Sequence, residues 1–267
     1  MLLRLAVVLS VAMFVNSAQA EDVKPIKALL VLGGCCHDYA KQKDILKKGI
    51  EERANVEVTI AHDPDSTTKH LNPIYANAEW YKGFDVIIHD ECSSDVKDTA
   101  IVDGILKPHK DGMPGVLLHC GMHCYRGDGF DKNATAWFEF TGLATKGHGA
   151  QLPIALTFVD KESPITKGME DWTTVNEELY NNVEGKLKDT AKALVRGKQT
   201  YKNKDGSEKV DDNVVAWTNT YAGKTRVFAT TVGHNNATVQ DPKYLDMVTR
   251  GLLWSCDKLN DTYLKKK

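Results

Sequence analysis

Histidine, cysteine and carboxylate side chains recur in this chain directly after aliphatic runs. Cys35-Cys36-His37-Asp38, His89-Asp90-Glu91-Cys92, His119-Cys120 with His123 and Cys124, and Gly233-His234-Asn235 all sit in that position. Imidazole is the side chain best suited to proton transfer near neutral pH, and a neighbouring carboxylate can share that work. Imidazoles with a carboxylate can instead hold a divalent cation such as zinc, with an open position for substrate oxygens. Each group also has a plainer reading. A single histidine after a strand usually caps a loop, and Cys35 and Cys36 beside Gly33-Gly34 could be small apolar fillers. Cys120-x-x-x-Cys124 lacks the two-residue spacing of zinc ribbons. His62, His70 and His109 fall in connections away from these exits and read as surface residues. Cys256 reads as a buried filler.

The first twenty residues stand apart from the rest. Met1–Arg4 is a short basic start, Leu5–Val15 is apolar except for Ser10, and Ser17-Ala18-Gln19-Ala20 offers small residues at a cleavage site. That pattern predicts a signal peptide over residues 1–20 and a secreted or periplasmic mature chain with no membrane span, 21–267, forming one domain. A formal net charge of −2 argues against nucleic acid and anionic membrane surfaces as partners. Six cysteines in an exported chain permit fifteen pairings. Disulfides among Cys35, Cys36, Cys92, Cys120 and Cys124 are at least as expected as a metal.

Something must bring those exits together. Ile26–Leu32, Phe84–His89 and Pro114–His119 are continuous aliphatic runs and read as buried parallel strands, with Val56–Ile60 as another. Helices are expected over Lys41–Ala54 and Asp95–His109, and a short helix or loop over Leu71–Tyr81. The alternation predicts an α/β, flavodoxin-like, doubly wound and mostly parallel sheet with helices on both faces. Further on, Ala134–Thr141 reads as a helix. Ile154–Val159, Ala193–Arg196, Val214–Thr218 and Arg226–Val232 read as strands, and Tyr244–Leu259 as an amphipathic helix. Glu177–Asn181 reads as a loop or turn, and polar Tyr201–Asp212 as a hairpin loop. In an open parallel sheet, ligands bind outside the carboxyl ends of the strands, where these ionisable groups fall.

Across the same residues the chain resembles the trehalose-utilisation (ThuA-like) family. The likeness lies in Leu32-Gly33-Gly34 with His37-Asp38-Tyr39, Phe84–Ile88, Gly115–Cys120, Gly147-His148 and Glu177-Glu178-Leu179-Tyr180. It continues through Val215–Thr218, Gly223–Phe228, Gly233-His234-Asn235 and Arg250–Trp254. The resemblance implies a class I glutamine-amidotransferase-like fold. Relatives of that fold carry a nucleophilic cysteine on a Gly-x-Cys-x-Gly elbow after the fourth strand. Here the elbow position is His119 and the thiol comes one residue later, which disfavours Cys-dependent glutamine hydrolysis.

The resemblance also implies a small carbohydrate ligand, since the family accompanies sugar-metabolising oxidoreductases that make keto-sugars. A keto-sugar has acidic protons beside its carbonyl, so a base and an enediolate-stabilising cation or donor would support isomerisation, lysis or hydrolysis. His37, His119, Glu178 and His234 are the expected catalytic residues, and the same four are the metal candidates. Asp38, His148, Trp217 and Arg226 are the expected sugar contacts. For Trp217 and Arg226, core packing and a surface pair are equally expected. Two other readings stay open: a non-catalytic sugar-binding or accessory module, and a thiol-based redox role for Cys35/Cys36 or Cys120/Cys124. Oligomeric state is not legible.

Overall fold

The computed structural model describes residues 23–126, 135–183, 187–203 and 205–265. The expected signal segment, 1–20, lies outside the described residues. The first half alternates as expected: β1 (Ile26–Gly34), α1 (Tyr39–Arg53), β2 (Val56–Asp63), β3 (Val86–Cys92), α2 (Thr99–Asp111) and β4 (Gly115–Leu118). A short 3₁₀ turn over Pro73–Ala76 crosses back from β2. The second half comprises α3 (Ala136–Thr141), β5 (Thr145–His148), β6 (Leu152–Phe158), β7 (Trp172–Glu177), β8 (Tyr180–Asn182), β9 (Ala191–Lys202) and β10 (Glu208–Tyr221). It closes with β11 (Thr225–Thr230), α4 (Asn236–Val239) and α5 (Pro242–Ser255).

Nine strands form one sheet in the order β2-β1-β3-β4-β11-β10-β9-β6-β7. The first five are parallel to one another, and their order is that of flavodoxin-like sheets. β10, β9, β6 and β7 extend it by antiparallel pairing. α1 and α5 pack on one face around Leu46, Ile50, Leu245 and Val248. α2 and α3 cover the other with Val102, Ile105, Trp137 and Phe140. β1 is buried along its length except at Lys27, as a central parallel strand covered on both faces must be. α2 starts on an Asp98 cap and α5 on an Asp241 cap followed by Pro242, so both helices begin at defined points.

Two regions depart from the sequence reading. β9 and β10 run through the polar stretch expected to be a loop, pairing from Asn219↔Ala191 out to Glu208↔Lys202. Cross-strand polar pairs hold that ribbon where apolar residues are lacking. Arg196 Nε donates to Asp212 at 2.7 Å and Tyr201 Oη to Asp211 at 2.7 Å. Strands β5, β7 and β8 also went unforeseen, because each is short and carries polar residues at alternate positions. His70 and His109, expected at the surface, are fully buried. His70 Nδ1 lies 3.2 Å from Ser93 Oγ, and His109 bonds the Met113 carbonyl at 2.7 Å. Both hydrogen-bond inside the fold, so imidazole polarity did not force them outward.

Candidate functional site

The site is built from abrupt strand exits. β1 ends in Gly34 at φ 94°, where a Cβ would stand 2.3 Å from the Cys92 carbonyl oxygen. Only glycine lets β1 turn that tightly against β3, and the turn delivers Cys35, Cys36, His37 and Asp38. Beyond β4, His119 itself adopts a left-handed conformation at φ 38°. A side chain in that region is strained, which marks the position as structurally over-determined. After β11 the chain passes Thr231 and Gly233 to His234. Gly233 has φ 135°, and a Cβ there would lie 2.8 Å from the Tyr244 hydroxyl. β7 runs out into Glu177-Glu178, and the pairing of β5 with β8 sets His148 opposite Tyr180.

Three imidazoles meet at this edge. Ring centroids are 4.6 Å apart for His37 and His119, 4.9 Å for His37 and His234, and 5.6 Å for His119 and His234. One ligand atom from each lies within 4.8 Å of the other two. Glu178, largely buried, lies against them. Its Oε2 is 3.4 Å from His119 Nε2, and its Oε1 is 3.2 Å from His234 Nδ1 and 3.5 Å from His148 Nε2. His119 Nδ1 donates to the Thr231 carbonyl at 2.6 Å, which leaves the Nε2 lone pair facing the cluster. Tyr180 Oη lies 3.1 Å from that Nε2.

The electrostatics follow from burial and mutual proximity. Burial, followed by the neighbouring His119 and His234, lowers the His37 pKa to about 2, so this ring stays neutral. Its buried Nδ1 has no hydrogen-bond partner. Burial works against ionisation of Glu178, yet the facing His119 and His234 rings outweigh it and hold the carboxyl well below the carboxylate range. The reciprocal bond to Glu178 raises the His234 pKa against its burial. A half-buried neutral imidazole with a free ring nitrogen, a second imidazole fixed in one tautomer by a carbonyl, and an anionic carboxylate make a donor set suited to a divalent cation.

The structure therefore gathers His37, His119, Glu178 and His234, with exposed His148 at the rim. Asp38 is adjacent. Its carboxylate accepts from Asn236 Nδ2 at 2.8 Å and pairs with Lys41 at 2.9 Å, tying the His37 turn to α4. Trp217 is not in the site. It is fully buried on the α2/α3 face, with its indole N–H donating to the Thr141 carbonyl. Arg226 lies at the opposite end of β11, stacked 4.0 Å over Trp254 and paired with Asp257. β3 is divided by its two-residue alternation. His89 and Glu91 face the α2/α3 side, while Cys92 faces the α1/α5 side and forms a disulfide with Cys120. Cys35 and Cys36 are bonded to each other; Cys124 and Cys256 are free.

Several contributors were not legible as such. Gln151 Nε2 donates to Glu178 at 3.1 Å and lies 3.0 Å from His234 Nε2. His123 stacks on Tyr180 with centroids 3.8 Å apart. Fully buried Glu177 accepts the backbone N–H groups of His234 at 3.0 Å and Asn235 at 2.8 Å. Gln42 holds the same loop from α1, donating to the carbonyls of Gly233 at 3.3 Å and His234 at 3.0 Å. Of these, His123 belongs to the strand exit already noted in the sequence, and Gln42 is an amide on the face of α1 that otherwise buries Tyr39, Leu46 and Ile50.

A family model described as ThuA, trehalose utilisation, matches residues 27–255 and so spans the whole site. The chain belongs to the ThuA family. Among solved structures, a protein described as ThuA-like from Parabacteroides merdae superposes with a TM-score of 0.63 at 18% identity, covering 91% of this chain and 93% of that one. Another described in the same way, from Bacteroides uniformis, gives 0.59 at 17% identity, covering 89% and 95%. A glutamine amidotransferase from Thermotoga maritima is matched at 0.40 and 8% identity, covering 78% and 75%. No protein of curated function matches the chain. This chain carries its clustered histidines where β1, β4 and β11 end. Among the described residues no helix is long and apolar enough to cross a membrane.

Proposed function

We propose that this ThuA protein is an exported enzyme acting on keto-disaccharides or glycosides at a divalent metal held by His37, His119 and His234, with Glu178 beside it. The observation that carries the reading is the convergence of three imidazole ligand atoms within 4.8 Å, one of them on a half-buried ring held neutral. A divalent cation such as zinc would supply Lewis-acid polarisation of a sugar carbonyl or hydroxyl oxygen. The chain's own groups supply the rest. In this reading Glu178 takes a proton from carbon beside a keto group, with His234 Nδ1 3.2 Å away to share it. In the same reading exposed His148, 3.5 Å from Glu178, protonates a departing glycosidic oxygen. Tyr180 and the Thr231 carbonyl hold His119 in orientation. Export is supported by the basic, apolar and small-residue pattern of residues 1–20 and by the two disulfides.

The test is elemental analysis of the purified protein and of His119→Ala, joined to a product screen on keto-glycosides by mass spectrometry. A stoichiometric metal lost in the variant, together with turnover by the parent, is the expected result. Neither metal nor product in the parent would reject the reading. Disaccharide binding without either would instead identify a binding module.

A further inference from the structure

Beside the histidines lies a second reactive assembly that the sugar chemistry does not use. Cys35 and Cys36 are joined to each other, Cys92 is joined to Cys120, and the sulfurs of Cys35 and Cys92 are 3.6 Å apart. The two bridges differ sharply in access. Cys36 is exposed and Cys35 half-buried, whereas Cys92 and Cys120 are only 4% and 2% exposed. A reductant in solution reaches the first bridge but not the second. Two further positions fit an exchange. Ligand atoms of Cys35, Cys36 and Cys92 all lie within 4.8 Å of one another, as do those of His37, Cys92 and Cys120. The remaining nearby thiol does not compete. Cys124 donates to the Glu91 carbonyl at 2.8 Å, and burial pushes its pKa well up.

We propose that the two bridges form a thiol–disulfide relay, in which an external dithiol engages Cys36 and the exchange passes through Cys35 to Cys92, releasing Cys120. The steps balance as follows. A thiolate of the dithiol attacks Cys36 Sγ, the Cys35–Cys36 bond breaks, and Cys35 leaves as thiolate. Cys35 attacks Cys92 Sγ, forming Cys35–Cys92 and expelling Cys120. The dithiol's second sulfur then closes on its first, releasing Cys36. Two electrons and two protons pass from the dithiol to the protein, and the protons end on Cys36 and Cys120. The product keeps one disulfide, and its new buried thiol has its sulfur within 4.8 Å of a His37 ring nitrogen. The substrate class is a small or protein-borne dithiol, and the relay stands whether or not the histidines bind metal or sugar.

The experiment is peptide mapping of the native protein after one equivalent of dithiothreitol and rapid alkylation. Alkyl groups on Cys36 and Cys120 with a Cys35–Cys92 cross-link are expected. Alkylation of Cys35 and Cys36 together, with Cys92–Cys120 intact, would overturn the proposal. So would a purified protein lacking either starting bridge. Cys36→Ser gives an independent reading without reductant: it is expected to carry Cys35–Cys92 and a free Cys120, and retention of Cys92–Cys120 beside a free Cys35 would count against the relay. Should that variant fail to fold, the double variant Cys35→Ser/Cys36→Ser serves. Its Cys92–Cys120 bridge is expected to resist the dithiothreitol that opens it in the parent, and equal opening in both would sink the idea.

Discussion

Two histidine–glutamate clusters stand apart in this fold, one at the carboxyl edge of the sheet and one under its α2/α3 face, and they are made of nearly the same side chains. In one, Glu178 contacts His119, His148 and His234 near the surface, and His37 keeps a ring nitrogen without a partner. In the other, Glu91 Oε1 takes hydrogen bonds from Tyr75 at 2.6 Å and Tyr125 at 2.9 Å and lies 3.2 Å from His89 Nδ1. His89 Nε2 then meets His109 Nε2 at 3.1 Å, and His109 ends on the Met113 carbonyl. Every imidazole nitrogen of the second cluster has a partner inside the protein, and both rings are fully buried. What separates a reactive site from a structural one here is therefore not residue type. It is whether imidazole nitrogens remain free and whether anything outside can reach them.

The largest effect should come from breaking the buried cluster. Glu91→Ala strands two tyrosine hydroxyls and a histidine in a fully enclosed position, and loss of one partner from a buried ionic network costs about 3–5 kcal/mol. Urea denaturation should show a loss of that order. His234→Ala, at a half-exposed position of the other cluster, should stay within about 1 kcal/mol of the parent while abolishing metal retention. If the two variants are equally destabilised, the distinction between a structural and a functional cluster fails.

A smaller effect should follow from loosening the support of His234. The Glu177 carboxylate accepts backbone N–H groups from the loop that carries this histidine. Glu177→Gln keeps the shape but removes the charge and one acceptor oxygen. Outer-shell changes of this kind lower metal affinity about 10–100-fold. Competition with a chromogenic chelator would measure it, and an unchanged affinity would remove Glu177 from the positioning role.

Acid should then act on both clusters in the same direction. The pKa of His37 is lowered to about 2 and that of His109 to about 3, each chiefly by burial, and His123 is shifted the same way. Below the ordinary value of 6.5 the unfolded chain takes up protons that these native rings refuse. Stability rises with pH wherever the unfolded state binds more protons, so the contribution is intact above that value and is lost as pH falls toward the folded values. Each histidine contributes a slope of up to about 1.4 kcal/mol per pH unit. The raised pKa of His234 opposes the trend for one group. Urea midpoints between pH 7 and 5 should fall steeply, and His109→Gln should flatten the curve by one histidine. An unflattened curve would mean that His109 is protonated in the native state.

How far these clusters could be read beforehand depends on the physics of each residue. His37, His119 and His234 follow aliphatic parallel strands, and such strands must end on one edge, so chain order alone brought them together. Glu178 and His148 were reachable only through the family resemblance, since β7, β5 and β8 are short polar strands without an apolar signature. His89 and Glu91 share an exit with Cys92, but strand alternation turns them under the α2/α3 face and away from the strand-end cluster, and no local pattern announces that division. His109 looked superficial because it ends a helix beside Asp111-Gly112. It is buried because His89, twenty residues away on β3, supplies its partner. Nonlocal pairing of this kind leaves no trace in spacing.

The smallest effect tests the residues that the fold removed from the site. Arg226 sits at the amino end of β11, where its guanidinium lies over Trp254 and pairs with Asp257, a side chain that is 88% exposed. An ion pair so open to water is worth at most about 1 kcal/mol. Arg226→Ala should therefore lower the urea midpoint only slightly and leave both metal retention and turnover of keto-glycosides at parental levels. Should turnover fall severalfold while stability holds, Arg226 would be a sugar contact after all. The reactive surface would then extend to the opposite end of the sheet, and the contrast between one open cluster and one closed cluster would no longer describe where this protein works.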